Sequence, residues 1–169
     1  LDKNKLFLVP GNHDVDRGAI SPGAQSIRKN LKSRDDINNL LANDDDRSLM
    51  LKRLHNYSQF IEDYIKENII FDNSKYYYLK KIRVNDLKIS IVGLNSAWLS
   101  GSNEDQGKLA LGEKQVRSAL QQVDNSDITI AIMHHPIGWL LDVDKSSVEP
   151  ILYKKCDFIL HGHLHEQNL

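Results

Sequence analysis

Short apolar runs along the chain predict buried strands. The run at residues 6–9 ends at Pro10-Gly11, which is typical of a buried parallel strand that leads into a loop. Residues 127–133 and residues 157–160 form two further apolar runs of strand length. In an open α/β sheet, the loops at the carboxyl ends of such strands carry the chemistry.

Helical patterns alternate with these strands. Apolar residues at residues 116–123 recur at intervals of three and four, which predicts one helix. A second helix is predicted at residues 146–155, with Ser146 and Glu149 in the spacing of a capping box. Strands and helices in this order predict an α/β domain.

The segment from about residue 19 to residue 70 is polar and helical in its pattern. Apolar residues recur at helical spacing between Met50 and Ile65, which predicts an amphipathic helix. A weaker helix is predicted over residues 35–41, followed by a turn at Asn43 and an acidic first helical turn. We therefore expect a helical insertion here.

A hairpin is predicted in the middle of the chain. Two strand patterns, residues 76–84 and residues 87–94, flank the two-residue turn signal Asn85-Asp86. Such a turn sets three cross-strand pairs: Val84 with Leu87, Ile82 with Ile89, and Arg83 with Lys88. We expect the four apolar side chains to face the core and the two charged ones to face water.

Composition indicates one ordinary globular domain. The chain has 169 residues, 40% of them hydrophobic and 27% charged, with 22 Lys+Arg against 23 Asp+Glu. This balance does not indicate binding to nucleic acid or to an anionic membrane. No apolar run approaches the roughly 20 residues of a membrane span, and no signal peptide is evident, so a cytoplasmic protein without membrane contact is expected.

Histidines follow three of the predicted strands. His13 follows the first, His134 and His135 follow the second, and His161, His163 and His165 follow the third. If these strands are neighbours in one sheet, the imidazoles converge on one crevice. One such histidine alone is usually a hydrogen-bonded loop residue, but the coincidence of three favours a site for zinc, manganese, iron, cobalt or nickel.

Three short motifs surround these histidines: Gly11-Asn12-His13-Asp14, His134-His135-Pro136 and Gly162-His163-Leu164-His165. In order and in spacing they resemble the last three motifs of the calcineurin-like metallophosphoesterases. The resemblance implies a four-layer α/β sandwich, in which two mixed β-sheets are flanked by helices, with residues 19–70 as a helical insertion. It also implies metal-dependent hydrolysis of a phosphate ester.

The resemblance assigns roles residue by residue. It implies that Asn12, through its amide oxygen, and His134 and His163, through ring nitrogens, bind one of two divalent metal ions. These ions would be manganese, iron, zinc or similar. His165 would bind the other ion. His13 would be catalytic, by stabilising the transition state or protonating the leaving group.

Part of the family pattern is not in this sequence. The Asp-x-His and Gly-Asp motifs that precede GNHD in the family are absent, and Asp2 is the only acidic residue upstream of it. Those motifs would supply the remaining ligands and the carboxylate that bridges both ions. We therefore expect residues 1–169 to be a metallophosphoesterase domain that lacks its N-terminal strand-loop segment and is inactive alone.

The function predicted for the longer polypeptide is hydrolysis of a phosphomonoester or phosphodiester by a metal-activated water at a dinuclear site. One alternative is a non-catalytic binding or sensing module of a larger protein, with further domains as its partners. Another is a nuclease of the same family, although the near-zero net charge does not support nucleic acid as a partner. His135, next to a predicted ligand, is expected to be structural.

Overall fold

The computed structural model describes residues 5–64, 70–72 and 76–164. Within these residues there are six α-helices: α1 (Pro22–Asn30), α2 (Arg34–Ala42), α3 (Asp44–Leu51), α4 (His55–Tyr64), α5 (Glu113–Gln121) and α6 (Asp142–Lys155). There are also five strands: β1 (Ile70–Phe71), β2 (Tyr77–Val84), β3 (Leu87–Leu94), β4 (Ile128–Met133) and β5 (Phe158–His161). The predicted α/β class is confirmed.

The strands form one mixed sheet in the order β1-β2-β3-β4-β5. β1, β2 and β3 pair antiparallel, whereas β3-β4 and β4-β5 pair parallel. α5 and α6 are the crossover helices of the two parallel connections, so the carboxyl ends of β3, β4 and β5 lie at one edge of the sheet. The second sheet of the expected sandwich is not among the elements of the described residues.

The core lies between this sheet and the helices. β3 and β4 contribute Val92, Leu94, Ala131 and Met133, and the crossover helices contribute Val116, Ala119, Val148 and Leu152. Burying a side chain of the size of valine, leucine or methionine stabilises the fold by about 1.5–3 kcal/mol. This packing fixes the position of the strand ends that carry the histidines.

The predicted register of the hairpin is confirmed, and Arg83 and Lys88 are exposed as predicted, but the predicted apolar face is not buried at the turn. The cross-strand pairs are those expected from the turn, and Asn85 has the positive φ of 54° that a two-residue turn needs. However, Val84 and Leu87 are 48% and 47% exposed, while Lys80 is only 1% exposed. The Lys80 ammonium lies 5.0 Å from the centre of the Phe7 ring, a cation–π contact between β2 and the N-terminal segment.

Residues 6–9, predicted as a strand, are not in a strand. No strand of the described residues pairs with them, so side chains hold the segment instead. The hydroxyl of Tyr57 in α4 donates to the carbonyl of Leu8 at 3.1 Å, and Phe7 packs on Lys80. The segment therefore reaches Gly11 across α4 and β2 rather than as part of the sheet.

The polar segment is helical as predicted, but its last helix is interrupted. α3 ends at Leu51, and a short 3-10 helix at Lys52–Leu54 precedes α4. Asn43 ends α2 and starts α3, since its side-chain oxygen accepts from two backbone N–H groups of the acidic first turn at 3.0 Å each. None of the helices in the described parts of the chain is long and apolar enough to cross a membrane.

The predicted start of α6 is wrong. The helix begins at Asp142 and contains Pro150, and the hydroxyl of Ser146 donates to the carbonyl of Val143 instead of capping. Asp144, in the first turn, is 2% exposed and accepts the backbone N–H groups of Leu111 and Gly112 at 2.7 and 3.0 Å. This contact joins α6 to the loop before α5. The start of α6 therefore depends on tertiary packing and not on local spacing.

Candidate metal centre

The carboxyl ends of β4 and β5 bring two histidine motifs side by side. Met133 pairs with His161 in the last register position of the parallel ladder. Just beyond it, the N–H of Gly162 donates to the carbonyl of His134 at 3.1 Å. The loop that begins at Gly11 lies against the same place, so the convergence expected from the three strand ends is present, although the first of those segments is not a strand.

Three of the predicted ligand atoms meet at this point. The Asn12 Oδ1 lies 3.0 Å from the His134 Nε2, although the two residues are 122 positions apart. The same Nε2 lies 3.1 Å from the His163 Nδ1. These three side chains, Asn12, His134 and His163, are called the ligand triad below, after the role predicted for them.

The spacing of the ligand triad suits a divalent cation. At bond lengths of about 2.0–2.1 Å, adjacent ligand atoms lie about 3.0 Å apart in octahedral geometry and about 3.3 Å apart in tetrahedral geometry. The amide oxygen of Asn12 is an acceptor only, and the His134 Nε2 can carry at most one proton for its two neighbours. One cation can accept a lone pair from each of the three atoms, whereas one proton on the His134 Nε2 cannot form good hydrogen bonds to both of its neighbours.

An unusual backbone turn aims His163 into the site. His163 has a φ of +69°, and the N–H of Leu164 donates to the carbonyl of Gly162 at 2.8 Å. This is a γ-turn with a left-handed central residue, a strained conformation for a side chain other than glycine. Strain of this kind costs about 1–3 kcal/mol and is concentrated at functional sites.

The loop that carries Asn12 is closed by Asp14. The Asp14 carboxylate accepts the backbone N–H of Gly11 at 2.7 Å, and the backbone N–H of Asp14 donates to the carbonyl of Gly11 at 3.1 Å. Gly11 is needed because the ring of His134 lies directly against it: a Cβ built there would meet the His134 Cε1 at 2.9 Å. Asp14 thus shapes the turn, and Gly11 permits the contact with His134.

The electrostatics favour neutral imidazoles. Burial lowers the pKa of His134, and the neighbouring His163 lowers it further. A neutral ring nitrogen is the form that binds a metal ion. His13, the predicted catalytic residue, is exposed and lies close enough for its charge to contribute to lowering the pKa of His134.

His135, expected to be structural, lies at the site. Its ring centroid is 4.7 Å from those of both His134 and His163, and one ring nitrogen of each of the three lies within 4.8 Å of the others. Burial lowers the pKa of His135 to about 3. Its Nδ1 contacts the Ser96 Oγ at 3.1 Å, whereas its buried Nε2 has no hydrogen-bond partner among the residues described.

The sequence feature that could have pointed to His135 as a site residue was its position directly after His134, a predicted ligand. Alternation along an extended chain would send His134 and His135 to opposite sides, so the spacing gave no reason to put both at one site. Trp139 completes this side: its ring centroid is 4.2 Å from that of His163, at 76°, and it stacks on His135 at 5.9 Å. It is half-buried and forms an apolar wall of the site.

His165, the predicted ligand of the second ion, lies outside the described residues. His161 is exposed, and its Nδ1 lies 3.3 Å from the carbonyl of Gly162. The described residues therefore bring together three of the four predicted ligands, Asn12, His134 and His163.

Comparison with known proteins gives two matches. A family model described as calcineurin-like phosphoesterase matches residues 1–167. A curated relative from Bacillus subtilis (strain 168), named uncharacterized metallophosphoesterase-like protein YydB, is 22% identical over 175 residues, which cover 99% of this chain and 35% of the relative. The chain thus spans about a third of the length of that relative. No solved structure matches the chain significantly.

Proposed function

This chain belongs to the calcineurin-like phosphoesterase family, and from that premise we propose that it hydrolyses a phosphomonoester or phosphodiester at a site for two divalent metal ions. The family assignment predicted from the three motifs is confirmed, and it supports metal-dependent phosphoester hydrolysis as the general activity. The substrate, the dinuclear site and the role of each residue belong to the proposal.

The ligand triad is the observation that carries the proposal. Asn12, His134 and His163 come from distant parts of the chain, yet their donor atoms lie at the spacing of adjacent metal ligands. We assign these three residues to one ion. All three are neutral donors, so they leave the charge of the cation available to attract a phosphate anion.

His165 is assigned to the second ion. Its remaining ligands, and the bridging carboxylate, are proposed to come from Asp-x-His and Gly-Asp motifs upstream in a longer polypeptide, because these motifs are absent from the 169 residues. The metallophosphoesterase domain would then consist of this chain and that segment.

When bound, a pair of divalent ions supplies Lewis acidity to the phosphoryl oxygens and lowers the pKa of a water molecule to near 7. The protein residues supply position and proton transfer. The strained turn at His163 holds its ring in place, and Trp139 shields one side of the site from water. His13 is exposed beside the ligand triad, where it can donate a proton to the leaving oxygen.

The proposal is tested on the full-length protein with added manganese, using an aryl phosphate and a bis-aryl phosphate as substrates. Replacing Asn12, His134 or His163 with alanine should each reduce kcat/KM by about 100-fold or more, with lower metal content by elemental analysis. His13→Ala should reduce kcat with metal content unchanged. His55→Ala, in the exposed first turn of α4, is the matched control and should retain activity.

Unchanged activity in all three ligand variants would contradict the assignment. Metal binding with no turnover of either substrate would instead favour the non-catalytic binding module.

A further inference from the structure

A basic cleft lies between helices away from the ligand triad. It has a volume of about 580 Å³ and is lined by Lys32, Ser33 and Arg34 at the start of α2, by Glu113 and Arg117 of α5, and by α6. These residues differ from those of the metal centre. We call this region the α2–α5 cleft.

A buried carboxylate holds two arginines in the α2–α5 cleft. The Arg34 Nε lies 2.5 Å from the Glu113 Oε2, and the Arg117 Nε lies 2.5 Å from the Glu113 Oε1. The Glu113 side chain is only 8% exposed, whereas those of Arg34 and Arg117 are 58% and 57% exposed. One fixed acid therefore orients two guanidinium groups that reach solvent.

Each arginine is left with unused donors. A guanidinium has five N–H groups; Arg117 donates its Nε–H to Glu113, and Arg34 contacts Glu113 through its Nε as an ion pair. In the part of the chain that the structure describes, Arg34 and Arg117 have no other hydrogen-bond or ion-pair partner. The Nη groups of both side chains are thus available to a ligand in the cleft.

The cleft has an excess of positive charge. Lys32, Arg34 and Arg117 against Glu113 give the lining a formal charge of +2 (three cations less one anion). Asp36 does not line the cleft but lies near Lys32, whose charge helps to lower the pKa of Asp36. The Asp36 carboxylate therefore offsets part of the Lys32 charge. Where α6 lines the cleft it contributes uncharged side chains, including Ser146 and Ser147.

We propose that the α2–α5 cleft binds the phosphate group of a ligand distinct from the substrate of the metal centre. A phosphate monoester carries a charge of about −1.5 to −2 at neutral pH, which matches the excess charge, whereas a single carboxylate does not. Its three terminal oxygens can accept from two guanidinium groups at once, and arginine suits phosphate because its donors form a planar fork. The bound phosphate bridges α2 to α5 and so ties the helical segment to the crossover helix.

The experiment is isothermal calorimetry of phenyl phosphate titrated at low salt into the chain, after treatment with EDTA and dialysis into metal-free buffer without EDTA. The treatment removes metal ions, so the metal centre does not contribute, and the dialysis removes EDTA, an anion that would compete for the cleft. We expect saturable binding of one ligand per chain that weakens with added salt. Benzoate, of similar size with one carboxylate, should bind at least about tenfold more weakly, because it has half the charge and fewer acceptors.

Single substitutions locate the site. Arg34→Gln and Arg117→Gln should each weaken phenyl phosphate binding by about tenfold. Each leaves Glu113 with one guanidinium partner, so the buried carboxylate stays paired and the fold is retained. Lys32→Gln should weaken binding by about threefold, since it removes charge but no oriented fork.

Two controls accompany these variants. Arg83→Gln removes one positive charge at the exposed hairpin tip, and Asn12→Ala removes a member of the ligand triad. Neither should change the affinity for phenyl phosphate. The proposal is overturned if no binding occurs, if benzoate binds as well, if the arginine variants bind normally, or if Asn12→Ala abolishes binding.

Discussion

Substitution of Gly11 by alanine tests whether the ligand triad depends on close backbone contact with His134. A Cβ at residue 11 would meet the His134 Cε1 at 2.9 Å, Nδ1 at 3.0 Å and Cγ at 3.1 Å. Gly11 does not have a positive φ, so alanine fits the backbone and only the contact with the ring changes. The substitution therefore acts on one ligand without altering its chemistry.

The displacement follows from these distances. Ordinary contact begins at 3.4 Å, so a contact at 2.9 Å requires a shift of about 0.5 Å between the new methyl group and the ring. Metal–ligand distances tolerate only about 0.2 Å. A shift of this size should cost about 10–100-fold in metal affinity, which corresponds to about 1–3 kcal/mol.

The assay is calorimetric titration of zinc or manganese into the chain, with thermal unfolding followed by circular dichroism to check the fold. Gly138→Ala is the matched control, because a Cβ at residue 138 meets nothing within 4 Å. We expect Gly138→Ala to bind metal like the unaltered chain. If Gly11→Ala binds within about twofold of the unaltered chain while folded, the backbone contact does not position His134 and the reasoning is refuted.

Two further predictions concern stability. The pKa of His135 is about 3 in the folded chain, against an ordinary value of 6.5. Between these two pH values the unfolded chain binds more protons than the folded chain. The free energy of unfolding should therefore fall as pH falls through this window, by on the order of 1 kcal/mol per pH unit. His135→Gln should flatten this dependence in urea melts with EDTA, whereas the exposed His55→Gln should not; equal slopes for both would contradict it. Asp144→Asn should destabilise the fold by about 1–3 kcal/mol, since the amide can accept only one of the two buried N–H groups that the carboxylate now accepts. The exposed Asp142→Asn in the same turn should cost less, and an equal cost would show that the buried contact adds nothing.

Local patterns specified the hairpin but not its burial. The turn Asn85-Asp86 fixes the pairing of β2 with β3 because a two-residue loop permits few registers. Burial depends on what packs against each face, and the buried Lys80 contacts Phe7, which lies more than seventy positions away in the chain. The apolar run at residues 6–9 likewise reads as a strand, but a strand also needs a neighbour to pair with, and that is a property of the tertiary structure.

The candidate ligands of the site could be predicted from the sequence because its motifs are short and each follows an apolar run. Asn12, His134 and His163 could be named from the sequence through their resemblance to a family. His135 could not be placed at the site in this way, since its position there depends on the path of the chain after β4 and on the stacking of Trp139.

The sequence alone determined the α/β class, the order of the elements from β2 to β5, the hairpin register and the three motifs, because these depend on side-chain periodicity and turn chemistry within a few residues. Only the tertiary structure decided which atoms meet. The 3.0 and 3.1 Å contacts within the ligand triad join residues that are 122 and 29 positions apart, and the Arg34–Glu113 ion pair joins α2 to α5. Such contacts depend on how the helices and the sheet pack, and the spacing of residues along the chain does not predict that packing.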